Sequence, residues 1–186
     1  AIFAQRTPQG QWRVFEELVT DDMGLERFGQ MLLYELNTKF KECEPKVWGD
    51  PAGMKRDEIF EVTSFDHLRS IGLTARPTAS NDFQVRREAG AAPITRLIQG
   101  KPGLLIRKNC KRLRKSLAGG YHFKRVGVSG GMDRFRDAPN KDQHSHVGDA
   151  YGYLTLGGGE HRQLVRGAMR PAQSKIIKAK MEFQVL

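Results

Sequence analysis

Residues 140–154, NKDQHSHVGDAYGYL, predict the last helix of the chain and a polar face on it. The helix is expected over 145–156, with Ser145 as the side chain that caps its first turn. Asp149 then lies about one turn into the helix, where the positive end of the helix dipole favours an ionised carboxylate. His146 and Ser145 precede Asp149 by three and four residues, so all three share one face. The residues that can face a core are Val147, Ala150, Tyr151 and Leu154.

An ionised aspartate on such a helix suits a divalent cation that prefers oxygen ligands, such as Mg²⁺ or Mn²⁺. The simpler alternative is that Asp149 is an ordinary helix-start charge. His144 and His146 suggest zinc, but no further His or Cys lies nearby at ligand spacing. Ser145 and His146 are a weaker candidate pair for nucleophilic catalysis, because no third group that would orient the histidine is evident.

Asp50 offers a second carboxylate upstream of this helix. The residues Val-Trp-Gly-Asp at 47–50 predict a short apolar strand that stops at the Asp, before Pro51. Ligands of open α/β sheets bind at the carboxyl ends of strands, so Asp50 is a candidate metal or phosphate contact. The alternative is an Asp-Pro turn. Asp50 and Asp149 would give two of the carboxylates of a two-metal phosphodiesterase, which normally needs a third on its first strand.

The remaining pattern predicts strands that alternate with helices, which is typical of an α/β fold. Expected strands are 1–5, 12–19, 73–76, 104–106 and 121–124, the first two forming an antiparallel hairpin. Expected helices are 24–40, 64–71, 82–99 and 110–118. Pro93 should kink or split the third of these helices, and residues 127–144, rich in Gly and polar residues, predict a long loop. One domain is expected over 1–160, followed by a basic tail over 161–186.

The chain of 186 residues has a net charge of +10, and this excess lies in one segment. Residues 89–132 contain ten Lys and Arg and no Asp or Glu. Such a basic ridge binds nucleic acid through its phosphates, without sequence preference. The alternative is a solvated basic face of a helix. The cations expected on DNA are Arg107, Lys108, Lys111, Arg112, Arg114, Lys115, Lys124 and Arg125.

Several classes of protein are excluded by what the sequence lacks. It contains no GxxxxGK[ST], HExxH or GxSxG motif, and no GxGxxG that follows a strand. No apolar run approaches the roughly 18 residues of a membrane span, so no membrane partner is expected. The two cysteines are too few for a disulfide framework. With 39% hydrophobic residues, the chain has enough apolar material for a core.

The block APNKDQHSHVGDAYGY, residues 138–153, resembles the carboxyl-terminal signature of the large terminase subunit of tailed bacteriophages. The shared pattern is a Lys, then Ser-His, then Asp-Ala and an aromatic residue. Residues 48–53, WGDPAG, resemble the second acidic motif of that nuclease domain, and residues 10–29 resemble its early hairpin and helix. The resemblance therefore runs from about residue 1 to about residue 160.

The resemblance implies a ribonuclease H-like fold, with a mixed central sheet flanked by helices. It implies a metal-dependent endonuclease that cuts concatemeric double-stranded viral DNA with three acidic residues and Mg²⁺ or Mn²⁺. Asp50 would match the second acid and Asp149 the third. The secondary site residues would be Lys141, Ser145 and His146. The first acid would lie ahead of Ala1, so this chain would carry an incomplete site and an impaired nuclease, with Glu17 as a candidate partial substitute.

The implied partners, besides double-stranded DNA, are the terminase ATPase domain, the small terminase subunit and the portal protein. The implied location is the cytoplasm of an infected bacterial host. Two other functions stay open at this point. One is a non-catalytic DNA-binding or docking module with the same fold, and the other is a different ribonuclease H-like nuclease, a resolvase or a transposase.

Overall fold

The structure, a computed structural model, describes residues 1–57, 61–129 and 132–160. It is a mixed α/β structure with five α-helices and nine strands in these residues. The strands are β1 (Ile2–Arg6), β2 (Trp12–Glu17), β3 (Val47–Gly49), β4 (Ala75–Pro77), β5 (Leu97–Ile98), β6 (Lys101–Pro102), β7 (Leu104–Ile106), β8 (Phe123–Ser129) and β9 (Met132–Pro139). The helices are α1 (Leu25–Lys39), α2 (Ser64–Ser70), α3 (Phe83–Thr95), α4 (Lys111–Lys115) and α5 (Ser145–Gly157). No helix in the described ranges is long and apolar enough to cross a membrane.

The strands form four small sheets rather than one continuous sheet in the described part of the chain. β1 pairs antiparallel with β2, as predicted, and β2 pairs parallel with β7. β3 pairs parallel with β4, while β5–β6 and β8–β9 are antiparallel hairpins. The predicted α/β class is therefore confirmed. A single central sheet is not what these residues form, and the ribonuclease H-like fold stays a proposal.

The amphipathic helix predicted over 24–40 is confirmed as α1, and it packs on one face of β1. Phe3 and Leu32 are buried in one cluster, and the rings of Phe3 and Phe40 stack with 5.3 Å between their centroids. α2 approaches α1 closely at Gly29, where a Cβ would meet side chains from the end of α2. The predicted apolar spacing therefore buries α1 against the hairpin, because its apolar residues recur on one side of the helix.

The helix predicted over 145–156 is confirmed as α5, and it covers the other face of β1. Val147 and Tyr151 are buried in a second cluster, against which Ile2 and Ala4 pack. Neighbouring residues of a strand point to opposite faces, so β1 lies between α1 and α5. The Tyr151 hydroxyl also donates to a carbonyl of α3 at 2.9 Å, which ties α5 to that helix.

The prediction that Ser145 caps α5 is wrong. The N-cap residue is His144, and it makes no capping side-chain hydrogen bond. The Ser145 hydroxyl is fully buried and donates to the Asp142 carbonyl at 2.8 Å. The side chain of Asp142 accepts the His144 N–H at 2.8 Å, so an Asx-type turn leads into the helix instead of a serine cap.

The prediction of a long loop over 127–144 is also wrong, because most of it is the second half of the β8–β9 hairpin. Arg125 lies opposite Phe135, and its guanidinium pairs with Asp133 across the strands. The strand predicted over 121–124 begins at Phe123 and extends to Ser129. Cross-strand pairing here outweighs the low strand propensity of the Gly and Asp residues.

Two predicted helices are shorter than expected. The helix predicted over 82–99 ends at Thr95, two residues after Pro93, and does not split there. A proline near the end of a helix costs little, since few helical bonds remain to be lost. The helix predicted over 110–118 is divided into α4 and a π-helical turn, Ser116–Gly120, in which Gly119 has a φ of 118°. Only glycine adopts that conformation easily, so Gly119 ends the helix as predicted.

Candidate functional site

Asp149 stands at the centre of a polar group that joins three parts of the chain. Arg86 Nη1 donates to Asp149 Oδ1 at 2.5 Å, and the Tyr121 hydroxyl donates to the same oxygen at 2.7 Å. Lys141 Nζ donates to Oδ2 at 2.6 Å. Both oxygens of this carboxylate are therefore engaged, one by a guanidinium and a phenol and the other by an ammonium.

Local structure explains how these four side chains meet. Asp149 is in the second turn of α5, and Arg86 is in the first turn of α3, which packs along α5. Tyr121 and Lys141 flank the two ends of the β8–β9 hairpin, where the Asn140 N–H donates to the His122 carbonyl at 2.8 Å. The feet of the hairpin thus deliver one side chain each to the carboxylate.

Arg86 is the buried cation of this group, with 8% of its surface exposed. Its guanidinium carbon lies 4.6 Å from the centre of the Tyr153 ring and 5.8 Å from that of Phe83. A buried guanidinium needs a counter-charge, and aromatic faces add cation–π attraction. Arg86 therefore anchors Asp149 in place, whereas Lys141 has an exposed side chain that is free to change its partner.

The surroundings of Asp149 keep it ionised. Burial alone would raise the pKa of Asp149, but hydrogen bonds from Lys141, Tyr121 and Arg86 outweigh burial and lower it below the usual range. The pKa of Tyr121 is raised, first by burial and then by its hydrogen bond to Asp149. Tyr121 is thus a permanent proton donor to a permanent carboxylate.

Asp50 follows β3, as predicted, and is exposed. Its Oδ1 accepts the N–H of Ala52 at 2.8 Å and so caps a 3₁₀ turn, Pro51–Met54. The turn-forming role of this Asp-Pro pair is therefore present in the structure. The Tyr153 hydroxyl, which donates to Asn81 at 2.5 Å, also interacts with the Asp50 carboxylate. Asp50 thus has one polar link to α5 besides its role in the turn.

Asp50, Asp149 and His146 line one large groove that runs between β1 and β3 and has a volume of about 1510 Å³. The structure therefore brings together three of the predicted site residues, and Lys141 joins them through its bond to Asp149. Ser145 does not take part, because its hydroxyl is buried against the preceding turn. Glu17 is not available as an extra acid here, since its two oxygens accept the N–H groups of Arg112 and Leu113.

The donor set does not fit the expected pair of divalent cations. Asp50 and Asp149 are the two carboxylates of the groove, and Asp149 is already neutralised by two cations. No group of three or more His, Cys, Asp or Glu residues in the described ranges is arranged to hold a metal ion. Two-metal chemistry needs several carboxylates to offset the charge of the ions. The described residues alone therefore do not form a Mg²⁺ or Mn²⁺ centre.

All eight cations predicted to contact DNA are exposed. In the described residues, ion pairs with Asp21 and Asp133 engage two of them, Arg112 and Arg125. The others have no salt bridge within these ranges: Arg107, Lys108, Lys111, Arg114, Lys115 and Lys124. The hairpin adds two exposed cations that sequence reasoning did not select, Arg134 and Arg136.

Sequence reasoning also missed Arg86 and Tyr121. They are 63 and 28 residues from Asp149, so no local spacing connects them with it. One signal was available for Arg86, because an arginine among the apolar positions of a predicted helix needs a buried counter-charge. Comparison of the chain with protein-family models, with curated proteins and with solved structures finds no match.

Proposed function

We propose that this chain is a domain that binds double-stranded DNA, of the type found in terminase nucleases, and that it works in an infected bacterial host. The observation that carries the proposal is the position of the β8–β9 hairpin. Its exposed cations continue from those of α4, and its two feet hold Tyr121 and Lys141 on Asp149. DNA that follows these cations is led to the edge of the Asp149 site.

The charge of this surface supports binding through phosphates. Lys108, Lys111, Arg114 and Lys115 are exposed in and before α4, without a salt bridge in the described residues. Such cations replace the counterions of DNA when they bind, which is why affinity falls steeply with salt. The hairpin is also a two-stranded ribbon, an element that fits the major groove. Its exposed Phe135 can contact the bases or sugars.

Measurement of DNA binding across a range of salt concentrations tests this proposal. The double variants Arg114→Gln/Lys115→Gln and Arg134→Gln/Arg136→Gln should each lower the slope of log affinity against log salt by about 1.8, at about 0.9 per phosphate contact. The matched control is Arg27→Gln/Lys41→Gln, which removes two exposed cations from α1 and the loop after it. Equal slopes for all three variants and the parent would rule out a specific basic surface.

A second candidate function is cleavage of the bound DNA at the groove, as the resemblance to terminase nucleases implies. The observation in its favour is that Asp50, His146 and Asp149 line the same groove beside the hairpin. Their own roles there would be limited to positioning. Lys141, with an exposed side chain, can contact a phosphate oxygen, and Arg86 keeps Asp149 ionised and fixed.

Cleavage is tested with supercoiled plasmid, the purified chain and Mn²⁺. If the groove is a nuclease site, Asp50→Asn and Asp149→Asn should both lose nicking while they keep the salt slope of the parent. Asp133→Asn, which removes an exposed carboxylate of the hairpin, is the matched control and should cut like the parent. A parent chain that binds DNA but never nicks it leaves the binding module as the function and refutes cleavage by this chain.

A further inference from the structure

We propose that the groove between β1 and β3 is a docking site for an extended, apolar peptide strand supplied in trans, which would pair with both of these strands. The proposal does not depend on DNA binding or cleavage. It is carried by three properties of the groove: two unpaired strand edges form its walls, apolar helices cover it, and its volume matches a strand.

The first wall is the outer edge of β1. Ala1 exchanges two backbone hydrogen bonds with Leu18, and the Thr7 N–H donates to the Gln11 carbonyl. These residues therefore turn their backbone groups toward β2. Because backbone groups alternate in direction along a strand, Ile2 and Arg6 turn theirs away from β2, and both line the groove.

The second wall is the outer edge of β3. The Gly49 carbonyl accepts the N–H of Thr78, just beyond β4, so Gly49 turns its backbone toward that strand. By the same alternation, Trp48 turns its N–H and C=O away from β4, and Trp48 lines the groove. Unpaired N–H and C=O groups at a strand edge are a template for another strand.

The groove is covered by apolar residues from the helices on both faces of β1. Phe28, Leu32 and Leu36 of α1 line it, as do Ala150 and Leu154 of α5. A strand with both faces covered is apolar along its whole length, rather than alternately polar and apolar. The occupant is therefore expected to be a run of Val, Ile and similar residues.

The volume of the groove, about 1510 Å³, also fits a strand. A strand takes about 4.8 Å between neighbours, about 10 Å between covering layers and about 3.4 Å per residue, so six to nine residues fill roughly 1,000–1,500 Å³. Small-molecule pockets are usually smaller, about 300–1,000 Å³. A small apolar ligand would also leave the backbone groups of both walls without partners, at a cost that a peptide avoids.

The test uses the full chain and a synthetic peptide of six alternating valines and isoleucines between two terminal lysines, followed by amide hydrogen exchange. Exchange of the Ile2, Arg6 and Trp48 amides should slow by about tenfold when the peptide is present, as expected for one added backbone hydrogen bond each. A peptide of the same composition with its two central residues replaced by proline should give no protection, because proline donates no hydrogen bond.

A pair of variants locates the site of binding. Ala150→Trp fills the groove from α5 and should abolish protection, whereas Ala91→Trp, at an exposed position of α3, should not. Circular dichroism shows that both variants are folded. Protection of the free edge of β7 or β4 instead, equal protection by the proline peptide, or no protection at all would overturn the proposal. So would protection that exists without any peptide and disappears when residues 161–186 are deleted, since the occupant would then be the chain's own tail.

Discussion

Glu160 provides the strongest test of how α5 is fastened to the first hairpin. Its carboxylate is fully buried, and Trp12 Nε1 donates to it at 2.6 Å. Arg96 donates to it through Nη1 at 2.9 Å and Nη2 at 3.1 Å, and Arg6 Nε lies 3.3 Å away. Arg96 also donates to the Gly10 carbonyl at 2.7 Å. This one carboxylate therefore joins both strands of the hairpin, the end of α3 and the residue that follows the last turn of α5.

The substitution Glu160→Gln should destabilise the chain by about 3 kcal/mol. Removal of one partner from a buried ion pair costs about 3–5 kcal/mol. The lower end applies here because the two arginines are partly exposed and the glutamine oxygen still accepts the Trp12 N–H. For a chain of this size, that loss should lower the Tm by about 6–12 °C.

Thermal unfolding followed by circular dichroism measures this shift. The matched control is Asp133→Asn, which breaks the Arg125–Asp133 pair, whose side chains are 54% and 49% exposed. Exposed ion pairs contribute about 0–1 kcal/mol, so the control should unfold within about 3 °C of the parent. A Tm for Glu160→Gln as close to the parent as that of the control would refute the idea that this carboxylate holds the parts together.

The same pair of proteins predicts a pH dependence with a definite sign. Burial would raise the pKa of Glu160, but hydrogen bonds from Arg96 and Trp12 outweigh burial and lower it in the folded state. The stabilisation is then complete above the unfolded value of about 4.3 and is lost as the pH falls through the folded value. The gap in stability between parent and variant should be constant from about pH 7 to pH 5 and should close at lower pH.

Three further predictions concern the core and the site. Burial raises the pKa of Cys110 to about 11, so a thiol reagent at pH 8 should label one cysteine of the native chain and two in denaturant. Gly157→Ala should cost about 1–3 kcal/mol in chemical denaturation, because the new methyl group overlaps the Trp48 ring. Lys141→Met should raise the Asp149 pKa measured by NMR titration, since it removes one of the hydrogen bonds that lower it. An unchanged pKa would show that Lys141 does not bond to this carboxylate in solution.

Elements with a strong local pattern could be predicted from the sequence. α1 and α5 have apolar residues at helical spacing, and each packs with the predicted residues inward. The hairpin of residues 2–17 has strand-forming residues around a Thr-Pro-Gln-Gly turn. In these elements the local preference and the tertiary environment agree, so the sequence alone is sufficient.

Features that depend on distant partners could not be predicted in this way. The strand Met132–Pro139 contains Asp, Arg and Pro, and only its pairing with β8 makes it a strand. Glu160 looked like the start of a solvated tail, yet contacts with Trp12, 148 residues away, bury it. The Asp149 site has the same origin, because Arg86 reaches it by the packing of two helices that are far apart in sequence.

The contrast between Arg86 and Lys141 explains how one site could serve both binding and cleavage. Arg86 is 8% exposed and has aromatic rings against it, so it stays on Asp149 Oδ1. Lys141 has a side chain that is 64% exposed, and it holds Oδ2 by a bond that an incoming phosphate can replace with a similar one. When Lys141 moves to a phosphate, the backbone of DNA comes close to Asp149, and Oδ2 loses its donor among the described residues. Loss of Lys141 should therefore weaken DNA binding and leave Asp149 fixed, whereas loss of Arg86 should displace Asp149 and destabilise the fold.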